Sequence, residues 1–305
     1  MSQATSHNAN TVLVTGASGH LGHRAVELLL LRGDVKVIAA SRTPDKLADL
    51  AAQGAELRRL DFDDDASLSS AFADVQRVLL VSTDDISERG KRFRQQKRAL
   101  DAMVKAGVKH VVYTSLTAPD ASSPIGLAFD HRETEAALEK SGLGYTVLRN
   151  NLYAENLLGS LPQAIGSGAL HTAAGTRGAA YVTREDCAQA AAAALAATFD
   201  GKRTFDISGP ASVTQEEIAA VAAHVAGKPV TAVALDDTSL RAGLAQAGLP
   251  PAIIDLVAGF DAAVAEGRMD VRSSAVKDLT GKEPQSVAAF LAAVLPSVLS
   301  TSKAG

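Results

Sequence analysis

Apolar residues recur along this chain in two rhythms. Short runs rich in β-branched residues, such as Thr11-Val12-Leu13-Val14-Thr15, alternate with longer stretches in which apolar positions fall three and four apart. The short runs predict strands at 11–15, 35–41, 56–60, 76–82, 110–115 and 144–149. The longer stretches predict helices at 20–32, about 44–53, 66–72, 93–106 and 129–141. In the first of these helices Leu21, Ala25, Leu28 and Leu29 share one face. Pro44 suits a first helical turn, and Asp64 or Asp65 can cap the helix that follows. Strands alternating with helices across short links imply a parallel, doubly wound sheet.

After Asn150 the pattern loosens. Residues 151–178 are rich in Gly, Leu and Ala and show no clear period. A helix is predicted at 184–198 and one more strand at 204–207. Another helix opens at Thr214, with Glu217 closing a capping box, and 230–234 is strand-like. The remainder is mostly helical. The expected fold is therefore α/β: a Rossmann-type doubly wound parallel sheet over 11–155, to which 180–208 returns, with a smaller, mostly helical C-terminal lobe drawn from 156–305. The groove between the two is the natural substrate site.

Composition narrows the function. The chain has 305 residues, 47% of them hydrophobic, enough for a substantial core, and a net charge of −4. That charge argues against nucleic acid or anionic membrane as a partner. A single cysteine, Cys187, excludes an internal disulfide and fits a reducing compartment; in its alanine-rich helix it reads as inert core. The first ten residues are polar and lack the apolar centre of a signal peptide. A cytoplasmic location is expected, as monomer or homodimer. The cations of 89–98 read as a solvated helix face, with a subunit contact as the next alternative. No metal is expected at the acids Asp61, Asp63, Asp64 and Asp65, which capping and solvation explain.

The chemistry is concentrated where the first strand meets the first helix. Gly16, Gly19 and Gly22 stand in Thr15-Gly16-Ala17-Ser18-Gly19-His20-Leu21-Gly22. Gly16 permits a tight turn, Gly19 lets a pyrophosphate approach, and Gly22 brings helix and sheet together. With Ser18 in the turn and His20 and Leu21 opening the helix, free amides and the helix dipole can hold the anion. The second strand ends Ser41-Arg42 with no acid, so Arg42, assisted by Lys46, suits a ribose 2′-phosphate and hence NADPH. Asp61-Phe62, after the third strand, is placed for adenine, and Ser82-Thr83, after the fourth, for the pyrophosphate and nicotinamide ribose.

With these motifs the chain resembles the NmrA-like, atypical short-chain dehydrogenases, and within them the type 2 quinone oxidoreductases and triphenylmethane reductases. The resemblance spans nearly the whole chain. It rests on the glycine turn, Arg42, Tyr113-Thr114-Ser115-Leu116, His131 with Glu133-Thr134-Glu135, Tyr145-Thr146-Val147-Leu148-Arg149-Asn150, Tyr153, and Val182-Thr183-Arg184-Glu185-Asp186. It implies an NADPH cofactor, with Tyr113 near it, and hydride transfer to a quinone or similar conjugated aromatic acceptor. Some NmrA-like proteins instead bind NADP and regulate partners without turnover.

None of the four tyrosines has a lysine four positions on, so the Tyr-x-x-x-Lys alcohol chemistry is not expected. An electron-poor acceptor does not need it. Ser115 can donate a hydrogen bond to the acceptor or simply cap its strand. His131 can bind the nicotinamide ribose or supply a proton, or it is a helix-surface residue beside Glu135. The resemblance places Asn150 by the nicotinamide. Tyr153 either lines the acceptor pocket or packs.

Overall fold

The structure, a computed structural model, describes residues 10–301; the polar segment before them, read above for its lack of a signal sequence, lies outside the described residues. The described residues form nine strands: β1 (Thr11–Val14), β2 (Lys36–Ser41), β3 (Glu56–Arg59), β4 (Arg77–Leu80), β5 (His110–Leu116), β6 (Gly144–Asn150), β7 (Ala169–Thr172), β8 (Lys202–Ile207) and β9 (Thr231–Ala234). The helices are α1 (His20–Arg32), α2 (Ala48–Ala52), α3 (Asp65–Ala71), α4 (Lys91–Ala106), α5 (Ala128–Lys140) and α6 (Leu161–Ser167). They continue with α7 (Arg184–Ala196), α8 (Gln215–Ala226), α9 (Asp237–Gln246), α10 (Pro251–Ala265), α11 (Ala275–Thr280) and α12 (Val287–Thr301). The helix expected at 44–53 begins as a 3-10 turn, Pro44–Leu47, before α2.

Seven strands form one parallel sheet in the order β3-β2-β1-β4-β5-β6-β8. The chain winds outward from β1 to β3, then returns to lay β4 on β1's other side. Loops leaving β1 and β4 therefore diverge and open a crevice at the strands' carboxyl ends, where such sheets bind ligands. After β6 the chain leaves the sheet and comes back as α7 and β8, so residues 184–207 complete this half. Alanine suits α7 to its place. Ala188, Ala191 and Ala192 let it lie close to Ala25, Val26 and Leu29 of α1 in one buried cluster. The Arg24 guanidinium fastens the pair with two hydrogen bonds to Glu185, at 2.8 and 3.1 Å.

The lobe has its own core, in which Ile218, Leu161, Phe290 and Leu291 pack with Leu116 and Ile125 from the sheet half. Its two-stranded parallel sheet pairs β7 with β9. β7 falls inside the stretch that shows no period in the sequence. Thr214 and Glu217 form the expected capping box on α8. Among the described residues no helix is long and apolar enough to cross a membrane.

Candidate active site

The crevice begins at the glycine turn. Gly16 has φ +61°, a conformation that favours glycine. At Gly22 the constraint is space: a Cβ there would lie 2.4 Å from the Gly16 carbonyl oxygen. Gly19 caps α1 without a side chain, and no acid stands in the first turn, so the helix's positive end is left for a ligand. Hydroxyl groups brace the strand ends around it. The Val81 amide donates to Thr15 Oγ1 (3.0 Å), the Ser82 amide to Thr114 Oγ1 (2.9 Å), and Ser41 Oγ to Ser18 Oγ (3.1 Å).

A cavity of about 480 Å³ fills this crevice. Eight residues expected at the cofactor line it: Gly16, Ser18, Gly19, Arg42, Asp61, Phe62, Ser82 and Thr83. Asp61 is set by reciprocal bonds with Ser67, whose hydroxyl accepts the Asp61 amide (2.9 Å) and donates to the Asp61 carbonyl (3.0 Å). Arg42 is exposed and forms no ion pair among the described residues. The Thr83 hydroxyl is buried with no hydrogen-bond partner. A dinucleotide fits this construction: an uncapped helix end and glycine backbone for phosphates, an unpaired cation for a further phosphate, and an orphaned hydroxyl for a polar group.

Five expected residues do not line the cavity. Gly22 acts through packing. Leu21 is buried beneath α1, and His20 faces a different surface hollow beside Arg24, Glu155 and Arg184. Lys46 is exposed on the 3-10 turn. Tyr113 is fully buried at 0% exposure, which leaves it no surface for a cofactor; β5 directs its ring to the α5 side of the sheet, into contact with His131. Sequence reading missed Ser41, Leu60, Val81, Asp84, Asp85 and Gln95, which complete the lining. Their common signal is position: each lies at or just past a strand's carboxyl end, apart from Gln95 on α4.

A second cavity, of about 210 Å³, adjoins the first and shares Asp85 with it. Ile86, Arg92, Gly126, Leu127, Ala252 and Leu256 are among its walls, so it lies between the β4–α4 loop, the start of α5 and the lobe helix α10. Gly259 makes that approach possible, because a Cβ there would stand 2.8 Å from the Pro124 carbonyl oxygen.

The structure gives each of the four residues expected in catalysis a partner within the fold. Ser115 is 5% exposed and donates its proton to Glu135 Oε1 at 2.6 Å; the same carboxylate takes two bonds from Arg149. Its hydroxyl is thus committed within the fold and is not offered to an acceptor. His131 is not a surface residue. It is 5% exposed, with Nδ1 2.8 Å from the Tyr113 hydroxyl and Nε2 3.3 Å from Arg92 Nη2. Burial first, and then the Arg92 charge, hold it well below the ordinary histidine pKa, so it is neutral near pH 7 and not an acid. Asn150 donates to the Tyr153 hydroxyl (3.1 Å) and keeps its own Oδ1 buried and unpaired. Tyr153 lines neither cavity; its ring lies under the Arg184 guanidinium, 5.1 Å from the centroid.

The acids near α3 are likewise engaged. Asp64 caps α3, accepting from the Ala66 and Ser67 amides. Among the described residues no three His, Cys, Asp or Glu side chains gather as a metal site. Cys187 is buried in α7, which raises its thiol pKa and keeps it a thiol.

A glycine-braced helix end at the switch point of a parallel sheet defines a nucleotide-binding protein, and the chain belongs to the NAD(P)H-binding family, whose pattern matches residues 16–198. Quinone oxidoreductase 2 of Escherichia coli (strain K12) is 37% identical over 271 residues, 88% of this chain and 93% of the relative. The crystal structure of an NADPH-dependent quinone oxidoreductase from E. coli, complexed with NADPH, matches with a TM-score of 0.87 at 35% identity, covering 93% of this chain and 99% of the other. The triphenylmethane reductase of Citrobacter sp., complexed with NADP(H), matches with a TM-score of 0.85 at 31% identity, covering 92% and 99%.

Proposed function

We propose that this protein is an NADPH-dependent reductase that passes hydride to a quinone or a similarly conjugated aromatic acceptor. The observation that carries this reading is the junction of two cavities at Asp85: a crevice suited to phosphates, with an unpaired arginine at its rim, opens beside a small chamber walled by both apolar and charged side chains. Bound NADPH would supply hydride from its nicotinamide ring. Gly16, Ser18 and Gly19 hold the pyrophosphate, Arg42 pairs with the 2′-phosphate, and Asp61 and Phe62 border the adenine. Ser82 and Thr83 face the nicotinamide ribose, with Asn150 and Tyr153 behind it at the end of β6. The protein's contribution is positioning and electrostatics rather than a tyrosine–lysine acid. The relatives that reduce quinones and triphenylmethane dyes support an acceptor of this class.

The test mixes purified protein with NADPH and 1,4-naphthoquinone and follows nicotinamide absorbance, corrected for the uncatalysed rate. Saturable NADPH oxidation, with NADH much less effective, is expected. Tight NADPH binding with no turnover of any quinone or dye would overturn the reading.

A further inference from the structure

We propose that Arg92 is the group that stabilises negative charge on the acceptor, and that His131 is the residue that positions it. The proposal rests on the reductase reading above. It starts from the basic run 89–98, most of which is engaged elsewhere. Lys91 pairs with Asp85 (2.5 Å), Arg94 with Glu88 (2.9 Å), Lys97 with Asp101 (2.6 Å) and Arg98 with Asp65 (2.8 Å). Arg89 lies over the Phe129 ring, 4.8 Å from its centroid. Arg92 alone turns inward, 5% exposed, on the stripe that also carries Gln96, Ala99, Leu100 and Met103. It forms no ion pair among the described residues, and its Nε is buried without a partner.

A buried guanidinium without a carboxylate against it carries a desolvation cost of several kcal/mol, and arginine does not escape that cost by losing its proton. Such a charge calls for a function. Arg92 lines the 210 Å³ chamber, and the carboxylates whose charge it feels include Asp130 of the chamber and Asp84 of the cofactor crevice. That chamber meets the cofactor crevice at Asp85. The chamber's other acids are answered: Asp85 and Glu88 by the lysine and arginine above, Asp255 by Arg241 (2.6 Å), and Asp130 by the Phe93 amide (3.0 Å).

His131 fixes the direction of this charge. Arginine can only donate, so Nε2 of His131 must accept, and Nδ1 carries the proton toward the Tyr113 oxygen. The imidazole thus has one tautomer and no proton to give.

In the reaction, a quinone that takes up hydride becomes a hydroquinone monoanion. NADPH is oxidised to NADP⁺, and one proton from water completes the hydroquinone. The guanidinium faces the oxygen that bears this charge, the arrangement by which preorganised donors lower such barriers. The chamber is smaller than the ~300–1,000 Å³ common for drug-sized ligands, which favours acceptors of one or two rings.

The experiment compares wild type, Arg92→Gln, Arg92→Lys and His131→Leu. Each NADP⁺-loaded protein is titrated with 2-hydroxy-1,4-naphthoquinone, an anion at neutral pH, and each is assayed with 1,4-naphthoquinone. Arg92→Gln should lose about 10- to 100-fold in anion affinity and in kcat/KM, the size of a charged hydrogen bond, while NADP⁺ affinity holds and Tm does not fall. Arg92→Lys should recover part of both. His131→Leu should fall in the same direction without changing the shape of the kcat–pH profile. Should Arg92→Gln fail to fold, Arg92→Lys decides, since anion affinity equal to wild type would overturn the proposal. So would a folded Arg92→Gln with full anion affinity, or a pH limb abolished in His131→Leu. Normal quinone turnover in Arg92→Gln removes this proposal alone; absence of quinone turnover in wild type removes the reading beneath it.

Discussion

Alanine at Gly22 and alanine at Gly19 should have different consequences, although both glycines belong to one turn. At Gly22 the new methyl would sit 2.4 Å from the Gly16 oxygen, 2.8 Å from its carbonyl carbon and 3.1 Å from the Thr15 oxygen. All three are backbone atoms with no rotamer to change, so α1 or the turn must move. Overpacking of this kind costs about 1–3 kcal/mol, against which alanine returns about 1 kcal/mol of helix propensity. The net loss is then up to about 2 kcal/mol, a fall in Tm of several degrees. Displacing the amides at the helix end by a fraction of an ångström should also weaken NADPH by at least tenfold. At Gly19 a methyl would meet only the Gly16 oxygen, at 3.4 Å, and the free protein should barely notice. Its Cβ would instead occupy the phosphate's approach, so NADPH affinity should fall with Tm unchanged. Differential scanning calorimetry and NADPH titration read the two effects. Wild-type Tm and affinity in Gly22→Ala would refute the packing argument; equal destabilisation in both variants would refute the separation of roles.

Three further outcomes are expected. Arg42→Glu should weaken NADPH by about 1.5–3 kcal/mol and leave NADH nearly unaffected, read by titration with each nucleotide. Asp64→Ala removes the side chain that caps α3 and pairs with Arg59 at 2.6 Å, and should lower the urea midpoint with the slope of the transition unchanged. His110 is buried, and burial followed by the Arg77 charge depresses its pKa to about 4. Because the folded state resists a proton that the unfolded chain accepts near pH 6.5, stability is complete above that pH and declines as pH falls toward 4, by up to about 3 kcal/mol. In His110→Gln the urea midpoint should lose this decline between pH 7 and 5.

The cofactor half was legible because its information is local. The strand, glycine turn and helix of 11–32 are contiguous, and the lack of an acid after Ser41 can be read directly. Strand β7 was not legible. Ala169-Leu170-His171-Thr172 is extended only because residues 231–234, some sixty positions on, pair with it. Arg77 shows the same limit: a cation in an apolar strand is buried because the Leu195 and Phe199 carbonyls and the Asp200 carboxylate receive its guanidinium, a partnership no window of sequence contains. Arg92 was hidden by company. Among the cations of 89–98 it reads as another solvated charge, yet its spacing to Ala99, Leu100 and Met103 places it on the inward stripe. Ser115 and His131 were recognised as residues of interest, but their partners, Glu135 and the Tyr113–Arg92 pair, are supplied by tertiary folding.

The late return of α7 has a consequence for how this molecule is made. The helix proposed to offer its amides to the phosphates rests its flank on residues that leave the ribosome more than 150 positions after it. Until then Ala25, Val26 and Leu29 pack with β1 and β2 residues such as Val12, Val14 and Val37 but lack the α7 alanines, and a nascent or truncated chain ending near residue 155 would expose that flank of the helix and grip nucleotide poorly. Competence to hold cofactor should thus arrive abruptly during synthesis, with the emergence of the Arg24 partner Glu185 and the alanines behind it.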